Sequence, residues 1–142
     1  MKEIKILLKK QVEYIKERCN LKLDKKWSRE DLGERAKQKG VYIIFTTKPK
    51  EIIYVGKTRG KRMDFATRLY RHVSARASSN SRVYRKLKGI DRKGVGIKVS
   101  LINSIEIEKY FSSNEKKLSD KAIIDIFEQV LIHYLHPTIQ DN

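Results

Sequence analysis

Two tyrosines in neighbouring apolar runs are the first residues of this chain whose types and spacing could support chemistry. Tyr42 lies in the run that begins at Gly40, and Tyr54 lies in the run that ends at Gly56 and Lys57. A phenol hydroxyl can donate and accept a proton, and a lysine ammonium can bind a phosphate group. Two phenols on one surface beside Lys57 therefore predict part of a site that binds a phosphate group.

Three further polar residues fall on predicted helices. Arg68 and His72 are four residues apart, hence on one side of a helix predicted from about Met63 to Ala75. Glu128 lies at the edge of the apolar face of the last helix, where a carboxylate is costly to bury unless a cation or a donor meets it. That partner is either Arg68, which would make Glu128 structural, or a divalent ion, which would make it functional.

The two apolar runs predict a β-hairpin with a polar break at Pro49. Side chains alternate faces along a strand, so an odd number of loop residues, as in 47–49, would place Tyr42 directly across from Tyr54. Both phenols would then share one face of the sheet. Both faces of the hairpin are largely apolar, so we expect helices to cover both.

Hydrophobic periodicity predicts the other elements. They are helices over about 2–19, 28–38, 63–75 and 82–88, a half-exposed strand over 97–101, and a last helix from the Ser119–Asp120 cap to Pro137. The expected fold class is α/β of the α+β type, with a small, mostly antiparallel three-stranded sheet between helices. Residues 1–38 are expected to form a helical extension packed on a core domain over residues 39–142.

The positive charge of the chain is concentrated in one segment. The 142 residues carry a net charge of +16, and residues 57–98 hold fourteen Lys or Arg against Asp64 and Asp91. A concentrated excess indicates a polyanionic partner, foremost nucleic acid. The alternatives are a generally charged surface and an acidic protein partner.

Several classes of protein are disfavoured by the rest of the sequence. No apolar run approaches the ~18 residues that a membrane span needs, so no membrane partner is expected. The N-terminus lacks the apolar stretch and cleavage site of a secretion signal. Cys19 is the single cysteine, which excludes an internal disulfide and a cysteine-based zinc site. We expect a cytoplasmic protein, associated with the nucleoid, or a nuclear one in a eukaryote.

A family resemblance joins these separate features. Gly40-Val41-Tyr42 and, after eleven intervening residues, Tyr54-Val55-Gly56 resemble the signature of the GIY-YIG nuclease family. The segment from Phe65 to His72 resembles the first core helix of the family, in which an arginine is followed four residues later by a histidine. Glu128 lies in the late helix where the family keeps its metal-binding glutamate. The resemblance covers about residues 39–142.

Two departures from the family pattern are visible. The turn between Tyr54 and Arg68 is longer than in minimal members, which adds Arg59, Lys61 and Arg62 beside the site. The family usually has an asparagine just after its last helix. Here either Gln140 or Asn142 takes that role, or the role is missing.

The resemblance implies a divalent-metal-dependent endonuclease that acts on nucleic acid, with double-stranded or branched DNA as the expected substrate. It implies one Mg²⁺ or Mn²⁺ per site, held by Glu128, with Tyr42 as general base and Tyr54 orienting either the phosphate or Tyr42. Arg68 would neutralise charge on the phosphoryl oxygens, and Lys57 and His72 would tune Tyr42 or contact the phosphate. The residues expected to bind nucleic acid are Arg59, Lys61, Arg62, Arg71, Arg76, Arg82, Arg85 and Lys86.

This hypothesis makes two physical demands. A phenol has a pKa of about 10, and we expect Lys57, Arg68 and a metal on Glu128 to lower the pKa of Tyr42. Glu128 and Tyr42 must also lie on the same side of the sheet. The rival interpretations are a nucleic-acid-binding module of the same fold without catalysis, and a basic RNA-binding protein in which the tyrosines only pack. The branch of the family and the oligomeric state stay open.

Overall fold

A computed structural model describes residues 20–21, 32–60, 62–74, 81–109 and 119–139. The elements, in chain order, are β1 (Asn20–Leu21), a 3₁₀ helix (Gly33–Lys37), β2 (Gly40–Thr47), β3 (Lys50–Thr58), α1 (Phe65–Val73), α2 (Arg82–Arg92), β4 (Ile97–Asn103), α3 (Ser104–Glu108) and α4 (Asp120–Leu135). The predicted helix over 2–19 lies outside the described residues.

The strands form one antiparallel sheet in the order β1-β4-β2-β3. The predicted three-stranded sheet flanked by helices is confirmed, and the two-residue β1 extends it by one edge. Residues 20–21 are therefore strand within the segment predicted to be a helical extension. The prediction that β4 is half-exposed is wrong: most of its residues are buried, because β4 lies between β1 and β2 and both of its faces are covered.

The hairpin turns through two residues rather than three. Thr47 pairs with Lys50, so the turn consists of residues 48 and 49. The predicted register, with Tyr42 directly across from Tyr54, is wrong: Tyr42 pairs with Gly56 instead.

A one-residue bulge in β3 sets which face Tyr54 occupies. The register shifts between Ile44 and Phe45, so that Ile44 pairs with Tyr54 and Ile53 has no partner in the ladder. With an even turn alone, Tyr54 would face away from Tyr42, because a shift of one residue turns every side chain to the other face. The extra residue of the bulge turns Tyr54 back to the face of Tyr42. Both phenols therefore lie on one face, as predicted, two residues apart along the strands.

Two apolar layers cover the sheet. On one face, α1 and α2 pack against a cluster that includes Tyr42, Ile44 and Tyr54. On the other face, α4 packs against a cluster whose strand residues include Val41, Ile43 and Val55. Helices thus cover both faces of the hairpin, as its apolar residues predict.

Side-chain caps determine where the helices begin. Asp64, Ser81 and Ser119 accept hydrogen bonds from the first turns of α1, α2 and α4. The predicted basic helix extends further than expected, to Arg92, and α4 ends at Leu135, two residues before Pro137. Among the described helices none has the length and apolar character to cross a membrane.

Candidate active site

The Tyr42 phenol lies over the backbone of the edge strand β3. Gly56 is its partner across the ladder, and a Cβ added to Gly56 would overlap the Tyr42 hydroxyl and press on the ring of Tyr54. A side chain at position 56 is therefore incompatible with this placement of the phenol. The glycine at this point of the motif gives the phenol room to cross the strand.

Two side chains of α1 meet the Tyr42 hydroxyl. His72 Nε2 lies 2.6 Å from the oxygen, and Arg68 Nε donates to the oxygen at 3.4 Å. The four-residue spacing of Arg68 and His72 places both on the side of α1 that faces the sheet. The structure thus brings these three sequence-predicted residues together.

Burial controls the protonation of this trio. Burial, and then the positive charge of Arg68, lowers the pKa of His72 to about 3, so the imidazole is neutral near pH 7. A neutral imidazole has one unprotonated nitrogen, and which one it is depends on the tautomer. The fully buried Tyr42 hydroxyl accepts from Arg68, so its own proton needs an acceptor, and His72 Nε2 fills that role when Nδ1 carries the imidazole proton.

The expected lowering of the Tyr42 pKa is wrong for the charges that the protein itself supplies. Burial is the largest effect and raises the pKa of Tyr42 far above its usual value; Tyr54 raises it further, and Arg68 offsets only part of this rise. Tyr42 has no exposed surface, so its anion would lose nearly all contact with water. The phenol is protonated at neutral pH.

Tyr54 completes the group on this face of the sheet. Its ring centroid lies 5.1 Å from the His72 ring, in an edge-on arrangement, and 6.1 Å from the Tyr42 ring. A side-chain hydrogen bond also links Tyr54 to Arg68. The segment after α4 pairs with the free edge of this part of β3. Ile139 forms a parallel β-bridge with Tyr54 and donates its N–H to Ile53 O at 2.9 Å.

Glu128 is paired with Lys57 rather than with Arg68. Its carboxylate, on a residue 8% exposed, lies 3.5 Å from the Lys57 Nζ. Asp125, one turn earlier on α4, lies 3.1 Å from the same Nζ and 2.9 Å from Arg59 Nε. Sequence reasoning missed Asp125, although its place three residues before Glu128 puts it on the same side of the helix.

The required placement of Glu128 and Tyr42 on one side of the sheet is not met. Lys57 pairs with Val41, so it points to the face that α4 covers, whereas Tyr42 points to the α1 face. The two groups approach each other at Gly56 and Lys57, in the edge strand. The field of Glu128 still reaches the phenol, because its negative charge contributes to the raised pKa of Tyr42.

The residues around Glu128 fit a hard divalent cation only through one carboxylate. No group of three or more His, Cys, Asp or Glu with the arrangement of a metal site occurs among the described residues. Mg²⁺ is commonly held by one or two carboxylates, with water and substrate phosphate filling the other positions. The Lys57 ammonium already neutralises Glu128 at 3.5 Å, so a divalent ion bound there would have to displace it from the carboxylate.

The structure describes six of the eight basic residues predicted to bind nucleic acid. Arg62, Arg71, Arg82 and Arg85 are exposed. Lys86 pairs with Glu51 at 3.3 Å, which reduces the charge it can offer a ligand. Lys61, Arg76, Gln140 and Asn142 lie outside the described residues.

An antiparallel sheet between helices, with paired tyrosines on one face beside an arginine and a histidine of the next helix, defines a nuclease-type α+β domain. The family model for the GIY-YIG catalytic domain matches residues 38–122, which is more than half of the chain, and the chain belongs to the GIY-YIG family. The match contains Tyr42, Tyr54, Arg68 and His72 and ends before Glu128. The comparison finds no match among curated proteins or solved structures.

Proposed function

We propose that this chain is a divalent-metal-dependent endonuclease that hydrolyses phosphodiester bonds in double-stranded or branched DNA. The family supports a nuclease, and a nuclease acts on nucleic acid. The observation that carries the proposal is the Tyr42 hydroxyl held between His72 Nε2 and Arg68 Nε. This contact gives the phenol a partner that can take its proton.

The raised pKa of Tyr42 determines how it can act as a base. A phenol that is protonated at neutral pH cannot take a proton unless it gives up its own. We propose that Tyr42 receives a proton from the attacking water while its hydroxyl proton moves to His72 Nε2, 2.6 Å away. No free phenolate forms in this exchange, but His72 becomes an imidazolium, which burial and Arg68 disfavour. The negative charge that grows on the phosphate would have to stabilise this cation.

The other residues of the site act on the phosphate. Arg68 is half-buried beside Tyr42 and would balance the negative charge that grows on the phosphoryl oxygens. Tyr54, in contact with the His72 ring, would orient the phosphate. Lys57 would contact the phosphate at the edge of β3.

α4 packs on the face opposite to Tyr42, but the charge of Glu128 still reaches the Tyr42 hydroxyl around the edge strand, so Glu128 is the residue that would hold Mg²⁺ or Mn²⁺. A bound divalent ion supplies charge that polarises the phosphate and stabilises the leaving oxygen. A carboxylate, water and a phosphate oxygen are the ligands such an ion prefers.

We further propose that the exposed arginines of the basic segment track the phosphate backbone and that the protein works in the cytoplasm or nucleus, where DNA is present. Arg62, Arg71, Arg82 and Arg85 are exposed and carry the charge for this contact.

A non-catalytic nucleic-acid-binding module is the second candidate. Two observations favour it: Tyr42 has no exposed surface, and Glu128 is paired with Lys57 on the other side of the edge strand. In this alternative the trio is a satisfied buried network and only the surface charge has a function.

The two candidates are separated by nicking of supercoiled plasmid DNA. The nuclease proposal predicts open-circular product in Mg²⁺, none in EDTA, and loss of at least a hundredfold in rate for Glu128→Gln. The same assay on linear, flapped, branched and single-stranded DNA identifies the substrate. Binding of the plasmid without any nicking in Mg²⁺ or Mn²⁺ would favour the second candidate.

A further inference from the structure

A second concave site lies at the end of the sheet, away from the hairpin turn. Gly40 pairs with both Thr58 and Asn103, so the next residues outward on the three strands are Lys39, Arg59 and Ser104. Ser104 N donates to Lys39 O at 2.9 Å, which holds two of these residues side by side. The first turns of α4 close a pocket of about 280 Å³ over them.

The lining of this pocket is mainly cationic. Lys39, Arg59 and Lys121 contribute positive charge, and Asp120 is the carboxylate among the lining residues. Within the described part of the chain, neither Lys39 nor Lys121 forms an ion pair. The remaining lining residues are Gly60, Ser104 and Ile124. Lys39 and Lys121, together with Arg59, whose charge Asp125 partly neutralises, surround a concavity that suits an anionic group with one or more hydrogen-bond acceptors.

Asp125 links the pocket to the candidate metal carboxylate. It pairs with Lys57, which faces Glu128, and also with Arg59, which lines the pocket. A chain of alternating charges therefore runs along α4 from Glu128 to the pocket. Asp125 orients both cations and acts as a positioning residue.

The separation of the two sites matches a short length of nucleic acid. Lys121 precedes Glu128 by seven residues, which is about 10 Å along a helix axis. Each strand of a DNA duplex carries one phosphate per roughly 3.4 Å of axial rise. The strand also turns about that axis, so phosphates are further apart in space than their axial rise, and a strand with its scissile phosphate near Glu128 would place a phosphate about one to three nucleotides away at the pocket.

From these observations we propose that the pocket of Lys39, Arg59, Ser104 and Lys121 is a phosphate-binding subsite for the DNA strand, about one to three nucleotides from the scissile bond. The proposal rests on the proposed function for its substrate. It goes beyond that function in naming which part of the strand the pocket holds and which residues set its position.

Binding measured without metal tests the subsite apart from cleavage. We compare Lys39→Met/Lys121→Met with Lys48→Met/Lys50→Met, whose lysines are exposed at the hairpin turn at the other end of the sheet. The probe is a short fluorescein-labelled DNA duplex in EDTA, titrated between about 50 and 200 mM salt. The pocket variant should bind about tenfold more weakly, with a log–log salt slope reduced by about one. The control should bind within about twofold of the unmodified chain.

Replacing one phosphate of the DNA strand by an uncharged analogue shows which phosphate the pocket contacts. A single methylphosphonate moved along the strand should weaken binding of the unmodified chain at one position about one to three nucleotides from the cut, and should leave the pocket variant unaffected there. Equal weakening of both lysine pairs, or no weakening of either, overturns the subsite. If the chain binds the duplex but never cuts it, the proposed hydrolysis fails while the comparison of variants still decides the subsite. If it does not bind DNA, both proposals fail.

Discussion

The Tyr42 hydroxyl has a donor on one side and an acceptor on the other, and this arrangement is what its complete burial requires. An unpaired hydroxyl in that position would cost about 1–3 kcal/mol. His72 Nε2 at 2.6 Å and Arg68 Nε at 3.4 Å satisfy it. The same two contacts satisfy the buried hydroxyl and, in the proposed mechanism, serve its proton exchange, so stability and activity can be tested with the same variants.

Gly56 is the residue on which the placement of the phenol depends most. A Cβ at this position would overlap the Tyr42 hydroxyl, so Gly56→Ala should lower the free energy of unfolding by about 1–3 kcal/mol through overpacking. Cleavage should fall with it, because the phenol is displaced from His72. Urea unfolding and plasmid nicking measure the two effects.

Gly89→Ala is the matched control for this prediction. Gly89 is exposed within α2, and a Cβ there would meet no atom within 4 Å. Alanine is the better helix former, so the variant should gain up to about 1 kcal/mol. Equal stability of the two alanine variants would contradict the placement of Tyr42 over Gly56.

The neutral state of His72 predicts a pH dependence of stability. Burial and then Arg68 lower its pKa from 6.5 to about 3. Between these two values the unfolded chain binds more protons than the folded chain, so the free energy of unfolding decreases as the pH falls below about 6.5. The contribution of His72 should amount to about 2 kcal/mol between pH 6.5 and pH 5.

His72→Gln isolates this contribution. Urea unfolding of both proteins at about pH 7.5 and pH 5 cancels the effects of the groups that the two proteins share. The variant should lose less stability on acidification than the unmodified chain by about 2 kcal/mol. Parallel losses would show that His72 is not held neutral by the fold.

At the scale of single elements, the hairpin shows how far sequence patterns lead. The apolar runs and Pro49 predict two strands, and the structure contains both. The sequence also predicts that Tyr42 and Tyr54 share a face, but for a different reason. The turn has two residues rather than an odd number, and the extra residue at the Ile53 bulge returns Tyr54 to the face of Tyr42. A bulge leaves no signal in the alternation of apolar residues, since Ile52, Ile53 and Tyr54 suit either register.

The junction of β4 and α3 gives a prediction at the same scale. The Asn103 side chain accepts a hydrogen bond from Glu106 N at 2.9 Å and donates one to Gln38 at 3.0 Å. The Glu106 carboxylate accepts from the Asn103 backbone N–H. Asn103→Ala should therefore cost about 2 kcal/mol in thermal or urea unfolding. Ser119→Ala removes a single cap bond at the exposed start of α4 and should cost about 1 kcal/mol. A smaller loss for the asparagine variant would contradict the described capping box.

At the scale of the whole molecule, the charge distribution dominates. The segment 57–98 carries an excess of twelve positive charges, and its described arginines are mostly exposed. Neutralising about six to eight phosphates should give a log–log slope of binding against salt of roughly −5 to −7. Fluorescence anisotropy with a DNA duplex measures this slope. A value near −1 would show that the basic segment does not follow the backbone.

Contacts between distant parts of the chain are what the sequence leaves undetermined. Arg68 and His72 were predictable because four residues bring them to one side of a helix. The pairing of Glu128 with Lys57, and the pocket of Lys39, Arg59, Ser104 and Lys121, depend on strand register and on the packing of α4. No local spacing encodes such contacts, and the face on which Glu128 lies was predicted wrongly for the same reason.

The central claim, that the Tyr42 hydroxyl exchanges protons during phosphodiester cleavage, is tested most directly by one kinetic comparison. Single-turnover cleavage of plasmid DNA in Mg²⁺ is measured for the unmodified chain, for Tyr42→Phe and for Tyr84→Phe, which removes the hydroxyl of another buried tyrosine. Tyr42→Phe should bind DNA normally and cleave at least a hundredfold more slowly, while Tyr84→Phe should cleave within about threefold of the unmodified rate. Unchanged cleavage by Tyr42→Phe would contradict the account.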